Sequence, residues 1–450
     1  MVAERLPCED VDVSILAEPL WFNSGKSARN RIFKSAMTEM LSSFCPDTPA
    51  EHGLPSETVL TMYEKWGNGG FGIVLTGNIA VDPLHLESAG NVIIARENEG
   101  PKRDELLRRF ANNCKADGAL ALAQLTHAGR QTAENVNLHP RSCSDVQLTG
   151  RRRNFSFGKP IPYTEEEIRT DVVERFAYAA EEAYKAGFDG IELMGAHGYL
   201  LAQFMSPTTN RRTDAYGGTP ENRVRVVLEI YDAIRKRIPA SAQFIVGLKM
   251  NSVEFQEGGL SMEDAKTMCQ LLEDRGYDFV EMSGGTYEKL VFAHVRDSTK
   301  AREAYFLEFT DQLRPVFQKT RMVVTGGFRT AKWMAAVIQD GKCDAVGLGR
   351  PVAAEPDLPK KILRYGVLGS AAAKIDQNDF AMTNVVANSQ MWQGGQIPFS
   401  RCEKATDGIM DLSVQAEADK YVAAAGAYVQ GVFASGMQGV PVFQYKSESV

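Results

Sequence analysis

Eight short apolar runs, helical patterns between most of them, and glycine-rich ends on the last two predict a (β/α)8, or TIM, barrel. The runs are residues 31–37, 71–81, 119–125, 190–196, 244–250, 279–283, 322–325 and 345–348. Most are apolar at both side-chain parities, as expected of parallel strands covered on both faces. Helical patterns fall at residues 56–66, 106–115, 165–186, 222–237, 261–275, 305–318 and 330–339. The first stops at Gly67-Asn68-Gly69-Gly70, where glycine can take the left-handed cap. Thr219-Pro220-Glu221 supplies an N-cap oxygen, a proline at the first helical position and a carboxylate at the positive end of the dipole; Ser261 opens the next helix in the same way.

Three segments stand outside this alternation. Residues 16–30 carry Pro19, Asn23, Ser24, Gly25 and Asn30, which favour turns, so an N-terminal hairpin lid is expected before the first strand. Residues 128–164 form a long excursion after the third strand, read as an inserted loop or hairpin over the active face. Beyond about Tyr365 the alternation ends, and Ala- and Val-rich pieces such as residues 416–433 read as helix. The expected organisation is a barrel over residues 1–365 and a C-terminal helical extension over 366–450, packed on the barrel or on a neighbouring subunit. A homodimer is compatible with that arrangement.

The composition, 44% hydrophobic and 24% charged over 450 residues, is that of an ordinary globular enzyme. A formal net charge of -7 argues against a nucleic-acid or anionic-membrane binder, because neutralising phosphates requires surplus Lys and Arg. The one basic run, Arg151-Arg152-Arg153, reads as a solvated loop. Cys8, Cys45, Cys114, Cys143, Cys269, Cys343 and Cys402 are too scattered for a metal knuckle or redox pair, so no metal is expected and a reducing compartment fits. No apolar stretch approaches a membrane span and no secretory, peroxisomal or prenylation signal is visible, which makes the cytoplasm the expected location.

In such a barrel, functional groups come from the C-terminal ends of the strands. Those ends carry Met37 and Thr38, Gly77, Gln124 with His127, His197 with Tyr199, Lys249, Ser283, Gly326-Gly327, and Gly349-Arg350. Glycines after the seventh and eighth strands let backbone amides approach a phosphate, to which Arg350 could add a charged fork; they could also simply make tight turns. His197 and Tyr199 suit polarisation of a carbonyl plus protonation, although a lone histidine is as readily structural. Lys249 ends an apolar strand, where an unpaired ammonium is costly, so a polar ligand is expected beside it. Gln124 offers donor and acceptor to a heterocycle edge, or is an ordinary polar strand end.

Taken jointly, several motifs resemble the old yellow enzyme family of FMN-dependent ene-reductases. They are Asn30-Arg31-Ile32 with Ala36-Met37-Thr38, Gln124-Leu125-x-His127-Ala128-Gly129-Arg130, His197-Gly198-Tyr199-Leu200, Asn210-x-Arg212-x-Asp214-x-Tyr216-Gly217-Gly218, and Thr325-Gly326-Gly327 with Gly349-Arg350. The resemblance covers roughly residues 16–365. It implies that Ala36, Met37 and Thr38 lie along an FMN ring, with Gly77 and Ser283 nearby. Gln124 would hold the pyrimidine edge and Lys249 would stand beside N1 and O2, stabilising the anionic reduced flavin. Gly326, Gly327, Gly349 and Arg350 would hold the phosphate. His197 would bind the substrate carbonyl and Tyr199 would protonate the α-carbon, after NADH or NADPH has reduced the flavin in the same pocket. The implied substrate is an α,β-unsaturated carbonyl compound.

One departure matters. The family usually pairs two carbonyl donors, His followed three residues later by His or Asn, and here the first position is Met194. Methionine cannot donate a hydrogen bond, so either activation of simple enones is weaker or another group, such as His127, takes part in substrate binding. The alternative activities are therefore quinone reduction, or a flavin-dependent isomerisation or other step without net redox in secondary metabolism. A flavin-binding protein without catalysis is a further alternative. The closely spaced cysteines of the iron–sulfur dienoyl-CoA reductase branch are absent, so no cluster is expected.

Overall fold

The computed structural model describes residues 3–150, 154–251, 258–283 and 310–447. The tri-arginine run, Gly284-Gly285 and the first part of the helix expected at 305–318 lie outside the described residues.

Eight parallel strands close on themselves: β1 (Ile32–Lys34), β2 (Ile73–Ala80), β3 (Leu120–Thr126), β4 (Gly190–Gly195), β5 (Ile245–Asn251), β6 (Phe279–Ser283), β7 (Arg321–Thr325) and β8 (Ala345–Leu348). Closure is made at Phe33 of β1, which aligns with Gly347 of β8 on one side and Ile73 of β2 on the other. Helices α1 (Glu57–Gly67), α2 (Pro101–Cys114), α3 (Glu174–Lys185), α4 (Pro220–Arg237), α5 (Met262–Arg275) and α6 (Ala331–Gln339) cover the outside. Their starts follow the expected chemistry: the side chains of Ser56, Thr219 and Ser261 accept from Val59, Asn222 and Asp264 amides. α2 begins five residues earlier than its apolar pattern because Pro101 sits at its first turn. The pattern at 165–186 is one helix interrupted by a π-helical stretch, Ile168–Val173.

Strand parity sorts the barrel into layers. Outward residues such as Val74, Ile191, Leu248 and Met282 pack under the helices. Inward residues at the N-terminal end, among them Phe33, Leu75, Leu122, Ile245, Phe279 and Val323, form a closed apolar floor. The N-terminal hairpin (Leu20–Trp21 with Ser27–Ala28) plugs that floor from below: Leu20, Phe22 and Ala28 join it, and Asn23 Nδ2 donates to Tyr277 O just ahead of β6. Each fully buried Leu or Phe in this floor stabilises the barrel by roughly 1.5–3 kcal/mol. One step up, the inward residues become polar: Ser35, Gln124, Glu192, Lys249, Glu281 and Thr325.

The excursion after β3 folds against the active face, and its short pair, Arg141–Ser142 with Ile161–Pro162, is parallel rather than a hairpin. The C-terminal segment contributes α8 (Phe380–Gly394) and α9 (Gln415–Ala434), following α7 (Leu358–Tyr365). α8 lies against α1, and Asn388 Nδ2 donates to Thr38 O at 2.8 Å, tying this segment to the loop after β1. No helix among the described residues is long and apolar enough to cross a membrane.

Candidate active site

The C-terminal ends of the strands bring most of the expected residues to one mouth. Ala36, Met37 and Thr38, Thr325 to Gly327, Gly349-Arg350 and His197 are all half-buried there. A Cβ on Gly77 would meet Glu39 Oε2 at 2.2 Å and Met37 O at 2.3 Å, so only glycine lets β2 run against the loop after β1. Gly349 stands beside Met37, and Gly327 takes φ +77, a left-handed turn after β7. Arg350 Nη1 donates to Thr383 Oγ1 of α8 at 2.6 Å, so this arginine is oriented from the C-terminal segment.

His197 holds an unusual backbone: φ is +55, followed by +79 at Gly198. A left-handed histidine is sparsely populated and persists only when its surroundings impose it. Here Asn251 Oδ1 accepts from His197 N at 3.2 Å, and Gln131 Nε2 donates to His197 O at 3.1 Å. The ring Nε2 lies 2.7 Å from Ser283 Oγ at the end of β6. Burial, reinforced by the Lys249 ammonium, lowers the imidazole pKa to about 3, so the ring is neutral at physiological pH. Tyr199, two residues on, is buried in a small apolar cluster with Ala128, Met194 and Ala196. Met194 thus occupies the mouth as packing beside the phenol.

Below the mouth, Gln124 Nε2 donates to Glu192 Oε1 at 2.6 Å and Lys249 Nζ donates to Glu281 Oε1 at 2.7 Å. Lys249 thus has a partner within the protein in addition to the ligand expected beside it. Burial alone would lower its pKa, but the Glu281 and Glu192 carboxyls raise it above the usual lysine value. Neither glutamate was singled out from sequence, although a charged residue at inward parity in an apolar strand was the available signal, the same one that marked Lys249.

His127 is not at the mouth. It is fully buried, stacked on His85 at 4.2 Å between ring centroids, with Nδ1 accepting from Gly129 N at 3.0 Å and Nε2 3.1 Å from Tyr163 Oη. Both nitrogens are engaged in the excursion after β3, so it holds that loop rather than a substrate. Asp82, His85 and His127 gather closely enough to suggest a metal site. The tautomers argue otherwise: His85 Nε2 accepts from Arg141 N at 2.8 Å and His127 Nδ1 from Gly129 N, so the nitrogens facing Asp82 carry the protons. Arg175 Nε, 3.6 Å from Asp82 Oδ2, adds a charge that opposes a cation.

A second network escaped the sequence reading. Lys34, on the outer face of β1, donates to Tyr63 Oη and to Leu75 O, each at 2.9 Å; the phenol donates to Glu39 Oε1 and accepts from Gly77 N at 2.7 Å. Burial lowers the Lys34 pKa to about 8 against the pull of Glu39. This network clamps the loop after β1 to the middle of β2.

The mouth also carries two unsatisfied groups, Asn78 Oδ1 and Asn251 Nδ2, both buried without a protein partner. An orphan acceptor and an orphan donor at the rim fit a heterocycle with N–H and C=O edges, and the glycine-rich ends of β7 and β8 leave backbone open for a phosphate. The sequence profile of the NADH:flavin oxidoreductase / NADH oxidase family matches residues 16–366. The chain belongs to the old yellow enzyme family of flavin oxidoreductases. It is 39% identical over 427 residues to the NADH-dependent flavin oxidoreductase nadA of Aspergillus parasiticus, covering 93% of this chain and 92% of that one. That alignment must run beyond residue 366 into the C-terminal segment. The NADH-dependent flavin oxidoreductase iliE of Hypocrea jecorina is 33% identical over 365 residues, covering 77% of this chain and 88% of its own. Among solved structures, morphinone reductase in complex with tetrahydroNAD superimposes with a TM-score of 0.62 at 25% identity, over 79% of this chain and 92% of that one. The old yellow enzyme homologue of Zymomonas mobilis does so with a TM-score of 0.65 at 22% identity, over 79% and 94%. The protein is thus an FMN-dependent oxidoreductase with NAD(P)H as hydride donor, like others of its family.

Proposed function

We propose that this old yellow enzyme homologue reduces the C=C bond of α,β-unsaturated carbonyl compounds, with Tyr199 as proton donor and His197 as the carbonyl-binding group. The observation that supports this is the pair's presentation on one turn after β4, with a neutral imidazole. FMN supplies a carrier that accepts a hydride from NAD(P)H and passes it to a second molecule in the same site. Ala36, Met37, Thr38 and Gly77 would line its ring, Gln124 and Lys249 its pyrimidine edge with Ser283 close by, and Gly326, Gly327, Gly349 and Arg350 its phosphate. In this reading the Ser283 hydroxyl donates to His197 Nε2, which keeps the ring proton on Nδ1 for a carbonyl oxygen. Tyr199, buried beside Met194, hands its phenolic proton to the α-carbon, and water restores it. The mouth belongs to the barrel of residues 1–365, while the extension from 366 steadies Thr38 and Arg350 through Asn388 and Thr383.

Met194 favours a second reading. Its thioether lies against Tyr199 where the family pattern has a donor. A quinone, or an intermediate isomerised without net redox, would need that donor less. Tyr199→Phe separates the readings: flavin reduction by NADH should be unchanged while enone turnover falls roughly 10²–10⁴-fold, the usual worth of a positioned acid. Unchanged enone turnover would remove Tyr199 from the chemistry and favour quinone reduction.

A further inference from the structure

Three adjacent strands place three ionisable side chains in one layer beneath the mouth: Glu192 on β4, Lys249 on β5 and Glu281 on β6, all nearly or fully buried. The floor below them is apolar, so the layer has no solvent to share its charge with. Lys249 bonds Glu281 Oε1, and Gln124 bonds Glu192 Oε1. The two carboxyl groups lie close enough that the charge of Glu281 raises the Glu192 pKa. The remaining oxygen of each, Oε2, is buried with no hydrogen-bond partner. Two ionised carboxylates cannot satisfy that contact, since each offers only acceptors and their charges repel; one proton between them turns two orphan acceptors into a donor and an acceptor.

We propose that Glu192 and Glu281 share one proton in the resting enzyme, and that the pair takes up a second proton from solvent when the cofactor above Lys249 is reduced. This rests on the reading that Lys249 borders the flavin's pyrimidine edge. Burial and the neighbouring Glu281 raise the Glu192 pKa well above its usual value, whereas Lys249 holds Glu281 below its own, so the shared proton resides on Glu192. The other groups facing the pair are Thr325 on β7, which helps lower the Glu281 pKa, the neutral His197 above, and the Lys34 ammonium on the outer side of β1.

The charge count gives the direction. At rest, one ammonium balances one carboxylate and the layer is neutral. NAD(P)H delivers a hydride, two electrons with one proton, and leaves as NAD(P)+, so the site gains one negative charge. Lys249 cannot neutralise both that charge and Glu281 in a buried layer. A proton from water onto Glu281 restores neutrality and releases the ammonium toward the cofactor, with no change in the oxidation state of either glutamate.

The test is a proton count in the holoenzyme. Anaerobic reduction by one equivalent of NADH in weakly buffered solution with a pH indicator should consume one proton per flavin in the wild type and none in the Glu192→Gln/Glu281→Gln double variant. Each single variant should still consume one, because the remaining glutamate balances Lys249 at rest. Wild type consuming none, or the double variant consuming as many as wild type, overturns the proposal; the visible spectrum of the reduced cofactor shows whether the flavin itself took the proton, which would also overturn it. Infrared spectra test the resting pair independently. A buried carboxylic-acid C=O band should be present at neutral pH in wild type, with or without FMN, and absent in Glu192→Gln. Absence in the wild type overturns the shared proton even if FMN binds. A band present in protein that does not take up FMN would instead sink the flavin reading alone.

Discussion

The imidazole of His197 and the hydroxyl of Ser283 lie 2.7 Å apart, joining the turn after β4 to the end of β6 across the barrel mouth. Because His197 already holds a left-handed backbone, this contact fixes the ring's remaining freedom. Ser283→Ala should weaken binding of a phenol at the flavin roughly fivefold, the worth of about 1 kcal/mol for one neutral hydrogen bond. Titration of the charge-transfer absorbance measures it, and unchanged affinity would show that Ser283 does not orient the ring.

The imidazole's lowered pKa has a pH signature. With a folded value of about 3 against the ordinary histidine value of 6.5, the unfolded chain binds more protons between those limits. Stability from His197 is therefore fully present above pH 6.5 and is lost as pH falls toward 3. Denaturant midpoints of wild type and His197→Asn should diverge least at low pH, with the wild-type advantage shrinking as pH drops below 6.5. A constant difference would contradict a buried neutral ring.

Met194→His should restore a second donor at the mouth. Phenol binding should tighten by roughly 1 kcal/mol, and turnover of a simple enone should rise. Equal affinity in the same charge-transfer titration would place Met194 away from the carbonyl.

Tyr63→Phe should be costly although it lies outside the mouth. It leaves Lys34 with Leu75 O alone and removes one partner each from Glu39 and Gly77 N. Loss of a hydrogen bond to a charged group predicts about 1.5–3 kcal/mol of destabilisation, read as a lower denaturant midpoint. FMN affinity should fall as well, because the same network positions Gly77 beside Met37.

Gly347→Ala tests closure of the barrel. Its Cβ would sit 1.9 Å from Thr325 Oγ1 and 2.1 Å from Ser35 Oγ, a pair that bonds at 2.7 Å across β1 and β7. Overpacking of this kind costs about 1–3 kcal/mol, and thermal unfolding would report it.

Much of this protein was determined by local sequence. Apolar runs and N-caps such as Ser56, Thr219 and Ser261 marked the barrel's strands and helices, since periodicity and capping are properties of neighbouring residues. The strand ends named Gly77, Gln124, His197, Tyr199, Lys249 and Arg350, because a barrel of this kind directs its chemistry there. Tertiary structure decided which of those ends find a partner. Glu281 is distant in sequence yet meets Lys249 because β5 and β6 align the two in register, while Glu192, aligned with Gly247, joins them through the same inward parity. His127 shares a strand end with Gln124 but turns into the excursion, where Gly129, Tyr163 and His85 claim its ring. Thr38 and Arg350 are steadied by Asn388 and Thr383 of a segment with no periodic link to either. Such pairings depend on closure of the barrel and on burial, which turns an isolated charge into a cost that only a specific distant partner offsets.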